Sequence, residues 1–249
     1  MADLSLLLGK ATDVGRRRDH NEDAMTTFQT AGGWTVCVVA DGMGGHLAGE
    51  VASARAIEVI ERELQTLESD EAGDLDALRT AIERANLAIW DEAQGDVEKA
   101  GMGTTVVAAL LTPERAFLAN AGDSPAFLVR DGTTQQVTND HGVVAEQVRA
   151  GILTAEDAEY HPFRHVLTRC LGAEDRVDVE VYPPLDLQDG DMLVLCSDGL
   201  TEHVRMPEVA QYATEPDPDL AAQGLIDLAN ARGGHDNITV VVARVRADP

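Results

Sequence analysis

Apolar residues recur along this chain with two different periods. Ala52, Ala56, Ile60, Leu64 and Leu67 step by three or four, and so do Leu75, Leu78, Ile82, Ala85 and Ile89. That spacing lines one face of a helix and predicts two amphipathic helices, the second with Asp74 placed as its N-cap. Ser69 to Gly73 reads as the polar loop between them. Elsewhere the pattern is short apolar runs bounded by turn residues. These predict strands over Leu4–Gly9, Thr35–Ala40, Thr104–Leu111, Ala116–Asn120, Ala126–Arg130, Val177–Val181, Met192–Cys196 and Ile238–Val245. Runs such as Val36-Cys37-Val38-Val39-Ala40 are apolar on both faces, so they belong inside a layered structure. Asp131-Gly132 is a hairpin turn signal. Strands in hairpin-like groups with helices in a pair predict antiparallel sheets covered by helices, an α+β fold rather than regular βαβ alternation. With no repeat and no long linker, residues 1–249 read as a single domain.

Composition narrows the role. Hydrophobic residues are 44% and charged residues 25% of 249, an ordinary globular balance. The charge is not ordinary: 44 Asp+Glu against 19 Lys+Arg leave −25. Such a surface repels nucleic-acid backbones and anionic lipid, so neither is an expected partner. No apolar run is long enough for a membrane span, and Met1-Ala2-Asp3 places an acid where a signal peptide carries a base. Cys37, Cys170 and Cys196 are odd in number and read as reduced thiols. A cytoplasmic location is expected.

The candidate chemistry lies where apolar strands run into acids. Val38-Val39-Ala40 leads to Asp41-Gly42, and Val194-Leu195-Cys196-Ser197 leads to Asp198-Gly199. Asp236 precedes the run Ile238–Val242, and Asp123 follows Ala121-Gly122. An isolated Asp-Gly most often just closes a turn, as Asp131-Gly132 and Asp189-Gly190 are expected to do. Asp41 and Asp198 differ because each follows a strand buried on both faces. A carboxylate at the mouth of a dry core needs a neutralising partner. Several converging there call for divalent cations, and Mg²⁺ and Mn²⁺ prefer oxygen ligands. Glycine after Asp41 lets a backbone carbonyl approach a cation.

Arg16-Arg17-Arg18 concentrates positive charge in a chain short of it, and an arginine there can grip a phosphate bidentately. Gly42-Met43-Gly44-Gly45-His46 is glycine-rich but lacks the GxxxxGK[ST] pattern, so a nucleoside-triphosphate loop is rejected. His46, beside that turn, is a candidate proton donor. Cys170 and Arg176 stand in Cys-x5-Arg spacing, but Glu174 and Asp175 inside that loop would repel a phosphate dianion, and a cysteine nucleophile is rejected too.

Taken in order, these motifs resemble the metal-dependent protein Ser/Thr phosphatases of type 2C, the PPM family, in their compact bacterial form. The motifs are Arg18-x-x-Asn21-Glu22-Asp23, Val39–His46, Gly101-Met102-Gly103-Thr104-Thr105, Ala121–Ser124, Leu195–Leu200 and Asp236-Asn237-Ile238-Thr239. They span about Thr12 to Val245. The resemblance implies a four-layer αββα sandwich, two antiparallel sheets flanked by helix pairs, with a two-metal centre at one edge. It implies that Asp41 bridges two Mn²⁺ or Mg²⁺ ions, that the Gly42 carbonyl binds one, and that Asp198 and Asp236 bind the other. Asp123 with Asp198 would hold a third, weaker ion. Asp23 would act as a further metal ligand, and Glu22 and Asn237 would support the ligands. Arg18 would hold the substrate phosphate, and His46 would stand near as general acid.

The implied reaction is hydrolysis of phosphoserine and phosphothreonine monoesters by direct in-line attack of a metal-bridging hydroxide, the cations lying about 3.5–4 Å apart. Implied partners are phosphorylated proteins, including Ser/Thr kinases or their substrates, met by a monomer. Residues 137–169 resemble the family's flap, which shapes access for substrates. Pro125 departs from the family pattern, in which many members carry a basic residue. The alternative is a phospho-sensing or scaffold module without turnover. The complete set Asp41, Asp198 and Asp236 favours catalysis.

Overall fold

The computed structural model describes residues 4–44, 48–68 and 74–247. In chain order the strands are β1 (Leu4–Asp13), β2 (Asp23–Gln29), β3 (Thr35–Met43), β4 (Gly103–Thr104), β5 (Val106–Thr112), β6 (Arg115–Ala121), β7 (Ala126–Arg130), β8 (Thr133–Gln136), β9 (Glu180–Val181), β10 (Leu185–Asp186), β11 (Met192–Cys196) and β12 (Ile238–Ala247). The helices are α1 (Ala48–Leu64), α2 (Asp74–Gly95), α3 (Val143–Arg149), α4 (Ala155–Glu159), α5 (Asp198–Thr201), α6 (Met206–Val209) and α7 (Pro218–Ala231).

Two antiparallel sheets result. One runs β1-β12-β11-β7-β8; the other runs β10-β6-β5-β3-β2, with β4 on β3 and β9 on β6. The two-residue side-chain period of a strand explains the stacking. On β3, Val36, Val38 and Ala40 pack with α1 and α2, while Cys37 and Val39 point into the space between the sheets. On β12, Val240 and Val242 pack with α7, and Val241, Ala243 and Val245 fill the inter-sheet layer. Both faces of the central strands are therefore dry, as their unbroken apolar runs require. The layers are α1 and α2, the seven-stranded sheet, the five-stranded sheet, then α7 with the short α5 and α6.

Several local expectations differ from the structure. The strand expected over Val177–Val181 pairs only at Glu180–Val181, because Val177 and Val179 pack against the α1–α2 core without joining a ladder. β2, β8, β10 and α7 were not anticipated. The β7–β8 turn does use Asp131 and Gly132, both at positive φ (50° and 74°), as a two-residue hairpin demands. Within residues 137–169, α3 and α4 form, with the Thr154 side chain accepting from Asp157 N at 3.1 Å to cap α4. No helix among the described residues is long and apolar enough to cross a membrane.

Candidate metal centre and active site

Sheet stacking brings acids from distant parts of the chain to one edge. β3 carries Asp41 where it runs out of the core. Register places Asp23, at the start of β2, directly opposite. In the other sheet, β11 ends at Cys196 and Asp198 opens α5, while Asp236 stands two residues before β12. Asp123 follows β6. A cavity of about 660 Å³ is lined by Arg18, Asp41, Gly42, Asp123, Asp198 and Asp236, with Glu22 beside them. Arg18, Glu22, Asp41, Asp123, Asp198 and Asp236 therefore share one space, whereas Asp23, also expected as a metal ligand, is not among the residues that line it. His46 falls outside the described residues.

Backbone bonds fix each strand end. Thr105 N donates to the Asp41 carbonyl (2.8 Å), and Asp41 N donates to Thr105 Oγ1 (3.1 Å). Gly42 N donates to the Glu22 carbonyl (3.1 Å), tying β3 to the N-terminal loop. A Cβ at Gly42 would lie 2.2 Å from the Gly49 carbonyl oxygen, so only glycine fits between β3 and α1. The buried Asn237 clamps the same loop. Its Nδ2 donates to the carbonyls of Val14 (3.0 Å) and His20 (2.9 Å), and its Oδ1 accepts from Glu22 N (2.8 Å). Ser197 Oγ donates to Asp23 Oδ2 (2.7 Å) and accepts from Thr239 N (3.0 Å), linking the two sheets.

The electrostatics are those of anions forced together. Burial pushes Asp41 well above the ordinary carboxylate range, and Asp23, Asp198, Asp123 and Asp236 push it further. Burial, then Asp123 and Asp236, raise Asp198 to about 7. Burial also raises Asp23 to about 7, against the pull of Thr239 and Ser197. Asp123 rises to about 6 through burial and Asp140, and burial raises Asp140 itself to about 6. Arg18 relieves one corner. Its Nη2 donates to Asp236 Oδ2 at 2.7 Å.

These residues fit hard divalent cations. The donors are all oxygen, burial and mutual repulsion push Asp23, Asp41, Asp123 and Asp198 above the ordinary carboxylate range for want of positive charge, and Asp23 Oδ1 is buried with no hydrogen-bond partner. The expected ligands do not gather into one three-acid cluster. The groups with ligand atoms within 4.8 Å of one another, among the described residues, are Glu202-His203-His235 and His165-Asp198-Glu202.

Sequence reasoning did not single out Glu202, His165 or His235, which also line the cavity. Nor did it weigh Asp140, whose only sequence signal is its place after β8. Cys170 lines the cavity as well, but burial first, with Asp123 and Glu174, raises its thiol, so it is no ready thiolate. Pro125 is buried, and its carbonyl accepts from Cys196 N at 3.1 Å, joining the β6–β7 turn to β11.

Known proteins share this fold. The family profile described as Protein phosphatase 2C matches residues 14–224. The serine/threonine phosphatase stp of Listeria welshimeri is 39% identical over 238 residues, which cover 93% of this chain and 92% of that one. The solved S. agalactiae serine/threonine phosphatase superposes with a TM-score of 0.92 at 35% identity, covering 96% and 99% of the two chains. The catalytic domain of the phosphatase PstP, solved in complex with 2 manganese ions, superposes with a TM-score of 0.84 at 34% identity, covering 98% and 100%. The chain belongs to the protein phosphatase 2C family.

Proposed function

We propose that this 2C-family protein phosphatase removes phosphate from phosphoserine and phosphothreonine side chains of proteins at the cavity between its two sheet edges. The observation that carries the reading is the convergence of Asp41, Asp123, Asp198 and Asp236 with Arg18 on that cavity. Asp41, with acids on either side of it, is the residue suited to lie between two ions. The Gly42 carbonyl would hold one ion, Asp198 and Asp236 would hold the other, and Asp23 would act close by as a further ligand. Asp123, which shares the cavity with Asp198, would hold with it a third and weaker ion. Mn²⁺ or Mg²⁺ bound there supplies positive charge against the phosphate dianion and acidifies the attacking water.

The chain's own residues do the rest. Arg18 exchanges its bond to Asp236 for the non-bridging oxygens of the ester and orients phosphorus for in-line attack. Glu22 and Asn237 hold the loop that presents Arg18. A serine or threonine alkoxide leaves poorly, so a proton is needed, from His46 or from water at the cation site. Residues 137–169 form the flap that borders the cavity, within a single catalytic domain over 1–249. Substrates are phosphorylated proteins, including Ser/Thr kinases or their targets, met by a cytoplasmic monomer.

Hydrolysis of a phosphothreonine peptide, followed with Mn²⁺ and then with excess chelator, tests the reading. Turnover should vanish on chelation and return with Mn²⁺. Peptide binding without turnover in Mn²⁺ would make the chain a phospho-sensing module. Turnover that survives complete metal removal would end the assignment.

A further inference from the structure

We infer that Glu202, His203 and His235 form a separate metal site, for a nitrogen-preferring divalent cation of the zinc and copper class, at the rim of the catalytic cavity.

The three residues come from two segments that the fold holds together. Glu202 and His203 follow α5 directly. His235 follows Gly233 and Gly234, which turn the chain after α7 at positive φ (135° and 50°). A Cβ at Gly233 would meet His235 Nε2 at 2.9 Å, so the glycine makes room for the ring. The two imidazoles lie edge to face, 4.7 Å between centroids at 64°. Ligand atoms of all three residues lie within 4.8 Å of one another. Zinc bonds to such donors at about 2.0–2.2 Å, which asks for a modest inward closing of the exposed Glu202 and His235 onto the half-buried His203. His235 N donates to His203 Nε2 at 3.2 Å. Ligation through that nitrogen gives up this long bond, and the exposed position lets water take the amide. Arg232, which donates to the His203 carbonyl at 2.8 Å, has its charge already matched by paired bonds to Glu208 at 2.6 and 2.7 Å.

The chemistry separates this site from the catalytic one. Asp41, Asp123, Asp198 and Asp236 offer only oxygen and suit Mn²⁺ or Mg²⁺. Two imidazoles with one carboxylate suit zinc, copper or nickel. The other grouping, His165-Asp198-Glu202, includes a catalytic carboxylate and is left with that centre.

The test uses the full chain saturated with Mg²⁺, a hard cation that suits the oxygen site and is silent in electron paramagnetic resonance. Zn²⁺ uptake is measured by equilibrium dialysis, and Cu²⁺ is then added as a spectroscopic probe. The wild type should bind Zn²⁺ at one position that His203→Gln weakens at least about tenfold, as loss of a ligand requires. His203→Gln should keep Mn²⁺-dependent turnover, which also reports its fold. The Cu²⁺ electron paramagnetic resonance spectrum should show nitrogen splitting in the wild type and in Asp198→Asn, and lose it in the His203→Gln/His235→Gln double variant. Nitrogen splitting that persists in the double variant, disappears in Asp198→Asn, or is absent from the wild type would overturn the site.

Discussion

Asp23 stands opposite Asp41 across the β2–β3 ladder, with Oδ2 held by the Ser197 hydroxyl and Oδ1 buried without any partner. An acid in that position destabilises the fold once it ionises, unless a cation arrives. Asp23 and Asp198 titrate near 7, Asp123 and Asp140 near 6, and Asp41 and Glu22 are raised too. Each is raised above its unfolded value, so the folded chain binds more protons than the unfolded one between about pH 4 and 7. Stability of the metal-free protein is then fully present below that window and is lost as pH rises through it. Burial holds His141 and His203 down, which works the other way near pH 6, but they are two groups against six. Melting in chelator should therefore fall from pH 5.5 to pH 8, and Mn²⁺ should raise the midpoint more at pH 8. A metal-free midpoint that climbs over that range would contradict this account.

Asp198→Asn separates stability from function. The amide keeps the shape and removes one of the repelling charges. At pH 8 the metal-free variant should melt above the metal-free wild type, by a few degrees if about 1 kcal/mol is recovered. It should lose turnover and most of the Mn²⁺-induced shift. Equal metal-free midpoints would mean that Asp198 carries no strain from its neighbours.

The parts of this molecule legible in its sequence are those where one residue type has one physical use. Val36 to Ala40 is apolar at every position, and that forces a strand dry on both faces. Asp41 and Asp198 stood out because each ends such a strand. β2 was hidden: Asp23-Ala24-Met25-Thr26-Thr27-Phe28-Gln29 is only half-buried and has no clean alternation. α7 was hidden by Gly224 and by a core face built largely of alanine, Ala221, Ala222 and Ala229, whose periodic signal is weak. The contribution of Glu202 and His235 to the cavity depends on how two sheets stack, and no local pattern encodes that.

Asn237, just before β12, holds the N-terminal loop through three hydrogen bonds. Asn237→Ala would strand Glu22 N and the carbonyls of Val14 and His20. A buried polar group left unpaired costs about 1–3 kcal/mol. These three are partly exposed, so a total loss of about 2 kcal/mol is expected in urea unfolding. Turnover should fall further than stability predicts, because Arg18 and Glu22 ride on the released loop. Unchanged urea midpoint and turnover would remove Asn237 from this role.

Arg18 has two duties in sequence, and its variants distinguish them. In this structure its guanidinium serves as the cation beside Asp236, and burial, which pulls it down, is outweighed by Asp236, Glu22 and Asp41. Asp236 keeps lone pairs for a metal, since Oδ2 accepts from Arg18 and Oδ1 only from Asn237 N at 2.8 Å. Once Asp236 has a metal, the guanidinium is free for the phosphate ester. A hydrogen bond to a charged group is worth about 1.5–3 kcal/mol, or roughly 10- to 100-fold in phosphate affinity. Arg18→Ala should raise KM for a phosphopeptide by that factor and weaken inhibition by inorganic phosphate in parallel, with Mn²⁺ affinity retained. Arg18→Lys keeps the charge but not the planar fork, so it should recover only part of the loss. If both variants bind phosphate like the wild type but lose Mn²⁺, Arg18 belongs to the metal centre alone, and the ester must be held by other groups on the cavity wall.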